Sequence, residues 1–293
     1  MTTVEGEFGV AGRDSGRRLE SRSGTGVRPV RTKDGRAAYL KVTPAALGAE
    51  AMANARHELR FYTDLGPVAP VRTPKLVNYH DTACGVALLL EAAGAARQPR
   101  AWTRGMWRDL GRGLADLHTM PPPTQAHWTL PDALEKALAD PDVHQIEAFW
   151  AGPISPIAEL LGRREELRDQ ISALPLVFIH GDCHTDNLVH SAGALVFCDW
   201  QAARIGRPGC DLAFLSIRAT PTGVVIPSDL VDAYLDRQPW DRCTLRRALL
   251  AEELATFVFL WPPFAAMNSP LGIARVRRRA RDLAEQWFTS TGA

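Results

Sequence analysis

The residues that could do chemistry in this chain are concentrated in two short stretches. His180 to Asn187 reads HGDCHTDN, and Phe197 to Trp200 reads FCDW. Asp182 stands at the end of an apolar run, LVFIH, with strand character. The amide Asn187 follows it, and the carboxylate Asp199 ends a second apolar run. Short strands hold their ends rigidly, so the three side chains are expected to converge near the ends of a small hairpin turned around Ser191 to Gly193. Phosphoryl transfer asks little covalent work of a protein. It needs donor and acceptor held in place and the phosphate charge neutralised. A hard cation such as magnesium takes oxygen ligands, and few of them from protein. An aspartate facing the acceptor hydroxyl must orient it and receive its proton. One aspartate for the hydroxyl, with an asparagine and a second aspartate for metal, is the smallest such set, and all three residues are present.

The donor phosphates also call for a cation. Lys41, in AAYLKV, is the only lysine inside the early apolar strands. Lysines also sit on edge strands for solubility. The helix that follows Lys41 carries Glu58, which could brace it, and Glu50.

The elements that must position these residues follow from the patterning. Leu19 to Val30 reads as a β segment interrupted by Gly24 and Gly26. Asp34-Gly35 is a hairpin turn signal, and Ala37 to Val42 is the return strand. Pro44 marks where a helix begins, and Ala45 to Leu65 is helical until Gly66-Pro67 ends it. Two more strands are expected at Lys75 to His80 and Gly85 to Leu90. After a connector at Gly94 to Pro99 the chain turns mostly helical. Trp102, Met106, Leu110, Leu114 and Leu117 form one apolar stripe that Pro121 to Pro123 stops, and another helix covers Ile157 to Ala173. The fold class is α+β: a small sheet-rich lobe over 1–91, then a larger helical lobe over 92–293 with a hairpin at its centre.

Composition narrows the function classes. With 293 residues, 46% hydrophobic and 23% charged, the chain has ample material for a core, and its net charge of +1 attracts neither nucleic acid nor an anionic membrane. No apolar run has the length of a signal peptide or a membrane span, so no membrane partner is expected. Cys84, Cys183, Cys198, Cys210 and Cys243 form no C-x-x-C pair, which fits a reducing cytoplasm.

The pattern HGDCHTDN with FCDW resembles the aminoglycoside phosphotransferase and choline kinase-like family, whose usual form is H-G-D-x-H-x-x-N followed by a D-[FW]-[DE]-like element. The resemblance extends over most of the chain. AAYLKV is similar to the family's lysine strand, ARHELRFYTDL to its glutamate helix, VALLLE to the strand entering its hinge, and DLGRGLADLH to its L-G-x-x-L-x-x-L-H helix. IGRPGCDLAFL is similar to the segment after the metal aspartate, with Asp211 matching a frequent Asp. The resemblance implies a bilobal protein kinase-like fold and an ATP-dependent O-phosphotransferase that also uses Mg2+. In it Asp182 is the acceptor-side base, Asn187 and Asp199 bind magnesium, and Lys41 contacts the α/β-phosphates, braced by Glu58. The phosphate loop falls at Ser21 to Val27, which puts Ser23, Gly24 and Thr25 against the nucleotide. Two departures stand out. Cys183 replaces a large apolar residue, and Trp200-Gln201 stands where many members have a second acidic residue.

The implied acceptor is a hydroxylated small molecule. An antibiotic is favoured, either an aminoglycoside or another cationic compound such as a cyclic peptide. Choline, ethanolamine, homoserine, sugars and ketosamines are handled by similar folds. Two other classes stay open: a metal-dependent hydrolase built on the same His- and Asp-rich segment, and a non-catalytic nucleotide binder. The remaining polar residues have structural readings. His180 and His184 would hold the loop, His118 would be a satisfied buried histidine, and Asp211 would cap the helix before LAFLSI. Cys183 and Cys198 read as small fillers. Trp261 and Phe264 would be core or pocket wall. Glu252 and Glu253 would face a cationic acceptor or solvent, and the arginines from Arg275 to Arg281 would line a solvated helix face.

Overall fold

The hairpin turn read at Asp34-Gly35 forms, with Gly35 at φ +80°, a left-handed conformation that glycine adopts without steric cost. The computed structural model describes Phe8 and residues 11–12, 19–20, 26–191 and 193–291. Ser23, Gly24 and Thr25 lie outside the described residues.

The chain divides into two units, Met1–Arg97 with Asp186–Ala203, and Gln98–Thr185 with Arg204–Ala293. The first is built on an antiparallel sheet. Strands β1 (Ala11–Gly12) and β2 (Leu19–Glu20) both pair with β3 (Gly26–Arg31), and β3 pairs with β4 (Ala37–Pro44). Strands β5 (Leu76–Thr82) and β6 (Gly85–Glu91) form a hairpin whose β6 lies against β4, giving the order β1-β3-β4-β6-β5. Lys41 therefore sits on a central strand, opposite Val27 on one side and Leu88 on the other. This rules out the edge-strand explanation for the lysine. Because side chains alternate across a strand, Ala38 and Leu40 join Val30, Ala87 and Leu89 in a small core on one face, while Lys41 points to the other.

After β4 the chain makes a single 3-10 turn, and Gly48 at φ +96° lets helix α1 start at Ala49 (Ala49–Arg60), later than Pro44 would have it. The helix runs on as a π-helical turn, Phe61–Leu65. Its buried side carries Met52, Ala55 and Leu59, together with His57 and Glu58. Strand β7 (Ala95–Ala96) closes this passage.

The second unit opens with α2 (Arg104–His118), capped by Thr103, whose hydroxyl accepts from the Met106 amide at 3.3 Å. Its predicted stripe is buried at Met106, Leu110, Leu114 and Leu117. Helices α3 (Ala133–Ala139), α4 (Val143–Trp150), α5 (Ile157–Gly162) and α6 (Arg164–Ile171) follow. The expected single helix over 157–173 is two, because Arg163 leaves helical geometry at φ −98°, ψ 18°. Strand β8 (Val177–Ile179) leads into His180. The chain then returns to the first unit as the hairpin β9 (Leu188–Ser191) and β10 (Ala194–Phe197), with β7 added to β9. Residues 186–203, read from sequence as part of the helical lobe, thus cluster with the sheet. Back in the second unit, β11 (Arg204–Gly206) pairs with β8, and helices α7 (Gly209–Ala219), α8 (Asp229–Leu235), α9 (Arg242–Ala255) and α10 (Pro270–Thr291) complete it. Its core gathers Trp150, Leu160, Ile217, Phe257 and Trp287. Each such large apolar side chain contributes about 1.5–3 kcal/mol on burial. Trp261 belongs to this core, whereas Phe264 is exposed.

Candidate functional site

In the first unit the sheet and α1 bring three predicted residues into direct contact. Lys41 Nζ lies 2.7 Å from Glu58 Oε2 and 2.8 Å from Asp199 Oδ1. Glu58 is the partner the fold selects, since Glu50 is exposed in the first turn of α1. Burial pushes the Lys41 ammonium down, but the charges of Glu58 and Asp199 outweigh it and hold the lysine above its usual value. Burial pushes the Glu58 carboxyl up, Lys41 pulls it back, and the charge of Asp199 adds to the rise.

Asn187 and Asp199 leave the same end of the β9–β10 hairpin. Leu188 pairs with Phe197, and the next bond runs from the Cys198 amide to the Asn187 carbonyl at 2.9 Å. The donor set is one amide and one partly exposed carboxylate, both supplying hard oxygens, and it fits a small divalent cation. Asp199 takes φ +63°, the only non-glycine residue with positive φ among those described. For an ordinary side chain that conformation is strained and persists only where the surroundings over-determine it.

The surroundings here are the end of α1. His57 Nε2 donates to the Ala203 carbonyl at 2.5 Å. Phe61 stacks flat on Trp200, with ring centroids 3.8 Å apart and planes 7° from parallel. The Trp200 indole N–H donates to the Phe197 carbonyl at 3.0 Å. Trp200 and Ala203, which follow Asp199, are thus held against the end of this helix. Sequence reasoning did not single out His57, Phe61 or Trp200 for this. The available signal was the spacing of His57, Glu58 and Phe61, which puts all three on one side of a helix.

In the second unit Asp182 stands on the loop after β8. Gly181 turns that loop at φ +80°. Asp211, fully buried in the first turn of α7, accepts from the His180 amide at 2.8 Å and the Gly181 amide at 2.9 Å. Behind it, His118 Nε2 contacts Asp211 Oδ2 at 3.2 Å, and His118 Nδ1 meets the Tyr234 hydroxyl at 2.8 Å. Asp211 is therefore not the cap of its own helix, as its place before LAFLSI indicated. It ties down the backbone that carries Asp182. His180 is fully buried, and its Nδ1 accepts from the Asp182 amide at 3.3 Å. His184 Nε2 lies 3.6 Å from Asp182 Oδ2. Burial pushes the Asp182 carboxyl up, but the His184 hydrogen bond and the electrostatic pull of His184, His180 and Arg218 bring it below the ordinary aspartate value. Cys183 is fully buried, and burial pushes its thiol well up, which suits a packed filler and not a nucleophile.

Glu252 and Glu253 are buried and do not form a solvated face. Arg207 grips Glu252 with two bonds of 2.9 Å and reaches Asp132 at 2.7 Å. Arg279 grips Glu253 at 2.8 and 2.7 Å. Arg279 is thus drawn from the expected solvated face into an ion pair, and Arg277 lies over the Phe149 ring at 4.5 Å.

Comparison with protein families matches residues 22–249 to the phosphotransferase enzyme family. The chain belongs to this family. No match is found among curated proteins. Among solved structures it is similar to an amicoumacin kinase in complex with AMP-PNP, Ca2+ and Ami, at 14% identity, with 91% of this chain and 88% of that one covered and a TM-score of 0.61. A Plasmodium vivax ethanolamine kinase aligns at 13% identity over 99% and 85% of the chains, with a TM-score of 0.63. A macrolide 2'-phosphotransferase from Brachybacterium faecium aligns at 20% identity over 95% and 94%, with a TM-score of 0.56. The phosphotransferase has the protein kinase-like fold, with a small antiparallel sheet and a larger helical part. As a member of the family it is a phosphotransferase enzyme. No described helix is long and apolar enough to cross a membrane.

Proposed function

We propose that this phosphotransferase moves the γ-phosphoryl group of Mg-ATP to a hydroxyl of a small molecule in the cytoplasm, and that the acceptor is a hydroxylated antibiotic. The observation that carries the reading is the placement of Lys41 Nζ between Glu58 and Asp199. A lysine held so firmly is a fixed positive charge for the α/β-phosphates. Asn187 and Asp199 would hold the magnesium ion, which when bound neutralises charge on the phosphate oxygens.

Asp182 is assigned to the acceptor hydroxyl. The hydroxyl oxygen bonds to the γ-phosphorus, the bond from that phosphorus to the β–γ bridging oxygen breaks, and ADP leaves. The hydroxyl proton passes to the Asp182 carboxylate and from there to water. A carboxyl held below the ordinary range is ionised at neutral pH and is a weak base. It therefore orients the hydroxyl first and takes the proton late, as a loose phosphoryl transition state requires.

Antibiotic-modifying enzymes among the structural neighbours support the acceptor class, and the ethanolamine kinase keeps a metabolite acceptor as the alternative. A metal-dependent hydrolase is less well supported. Among the described residues no group of three or more His, Cys, Asp or Glu is placed to hold a metal ion.

The test is ADP release from Mg-ATP with aminoglycosides, cyclic peptide antibiotics, a macrolide, choline and homoserine. Stimulation by an antibiotic, lost in Asp182→Asn while ATP still binds, is the expected result. Turnover unchanged in Asp182→Asn would overturn the role given to that residue.

A further inference from the structure

We propose that Arg218 binds an anionic group of the acceptor, a carboxylate or its equivalent, beside the hydroxyl that is phosphorylated, and so selects against polycationic acceptors. The inference rests on the phosphotransferase reading and on the role of Asp182 within it.

Helix α7 presents one face to the loop that carries Asp182. Asp211 on that face binds the His180 and Gly181 amides. Phe214, almost one turn further on, sets its ring 6.4 Å from that of His184, the residue beside Asp182. Arg218 follows Phe214 by four residues and Asp211 by seven, the spacing that repeats a helix face. Its guanidinium is close enough for its charge to act on the Asp182 carboxylate. Arg218 is half-buried, and among the described residues it has no ion-pair or hydrogen-bond partner. Arg207 and Arg279, also drawn inward in this unit, are each gripped by a glutamate. A half-buried guanidinium with open donors beside a base is suited to a planar anion, which it can hold with two parallel bonds.

The complementary half of the argument concerns acidic residues. A polycationic acceptor needs carboxylates near the reacting hydroxyl. Glu252 and Glu253, which the sequence offered for that purpose, are buried and neutralised by Arg207 and Arg279. On the face of α7 that meets the Asp182 loop, Arg218 is left as a cation without a partner among the described residues. The acceptor charge expected from the tertiary structure is thus opposite to the cationic one implied by family resemblance.

The experiment uses acceptors matched in scaffold and differing in charge: glucuronate, glucose and glucosamine, and glycerate, glycerol and choline, alongside the antibiotic panel. ADP release from Mg-ATP is measured for the wild type and for Arg218→Gln, Arg218→Glu and Arg218→Lys, each checked for an unchanged melting temperature. Within a scaffold the anionic member is expected to have the lowest KM. Arg218→Gln should raise that KM about 10–10²-fold, the worth of a charge-assisted hydrogen bond, and leave kcat within a few-fold. Arg218→Lys should restore part of the loss, and Arg218→Glu should shift preference toward the cationic member. A KM for a cationic acceptor that Arg218→Gln leaves unchanged would overturn the proposal. So would a fall in kcat with KM untouched, which would place Arg218 on the transferring phosphoryl group. If no acceptor stimulates ADP release while Mg-ATP still binds, the phosphotransferase role of Asp182 fails first and the inference falls with it.

Discussion

Replacing Asp211 by Asn tests whether the buried carboxylate holds the loop that carries Asp182. Asp211 accepts the His180 amide at 2.8 Å and the Gly181 amide at 2.9 Å, and touches His118 Nε2 at 3.2 Å, all with no exposure to water. Asparagine keeps one acceptor oxygen and turns the other atom into a donor. One backbone N–H then faces an NH2 group, and a buried donor left without an acceptor costs about 1–3 kcal/mol. The surviving bond also loses its charge assistance, worth roughly another 1 kcal/mol. The sum is about 3 kcal/mol, or a fall in Tm of roughly 6–12 °C at about 2–4 °C per kcal/mol. Freeing Gly181 also lets Asp182 drift, and a displacement of about 1 Å costs on the order of 10²-fold in rate. Thermal melting and ADP release on the same preparation read both effects. A melting temperature within about 2 °C of wild type, with activity within a few-fold, would refute the reasoning.

Further expectations concern other contacts. Glu58→Gln leaves Lys41 with Asp199 as its remaining charged partner, so kcat/KM for Mg-ATP should fall about 10–10²-fold, read by steady-state kinetics. Gly111→Ala should be strongly destabilising, because a Cβ there would lie 2.2 Å from the Leu230 carbonyl oxygen and force α2 away from α8. A melting curve like wild type would show that the two helices part easily. As for pH, Asp182 and Asp211 have folded-state values below the unfolded one of about 3.9. Their stabilisation is therefore present above that pH and lost as pH falls through the folded values. Melting temperature should drop steeply below about pH 4, and less steeply in Asp211→Asn.

Much of this protein was legible in its sequence because the informative patterns are local. HGDCHTDN and FCDW lie close along the chain, so the hairpin that carries Asn187 and Asp199 could be read from short strands and a turn. The Asp34-Gly35 turn and the stripe along α2 are likewise local, set by backbone freedom and by a 3.6-residue period.

What the tertiary structure alone decided are choices between residues that look equivalent in one dimension. Glu58 and Glu50 share a helix, and only docking against β4 picks Glu58. Glu252 and Glu253 look like an exposed acidic pair until the fold brings Arg207 and Arg279 to them. Asp211 has the position of a helix residue near a cap, yet its partners are amides some thirty residues earlier and a histidine on α2. Arg218 carries no motif at all. In each case the partner comes from a distant part of the chain, and the energy of the ionic contact exists only once packing has removed water from both sides.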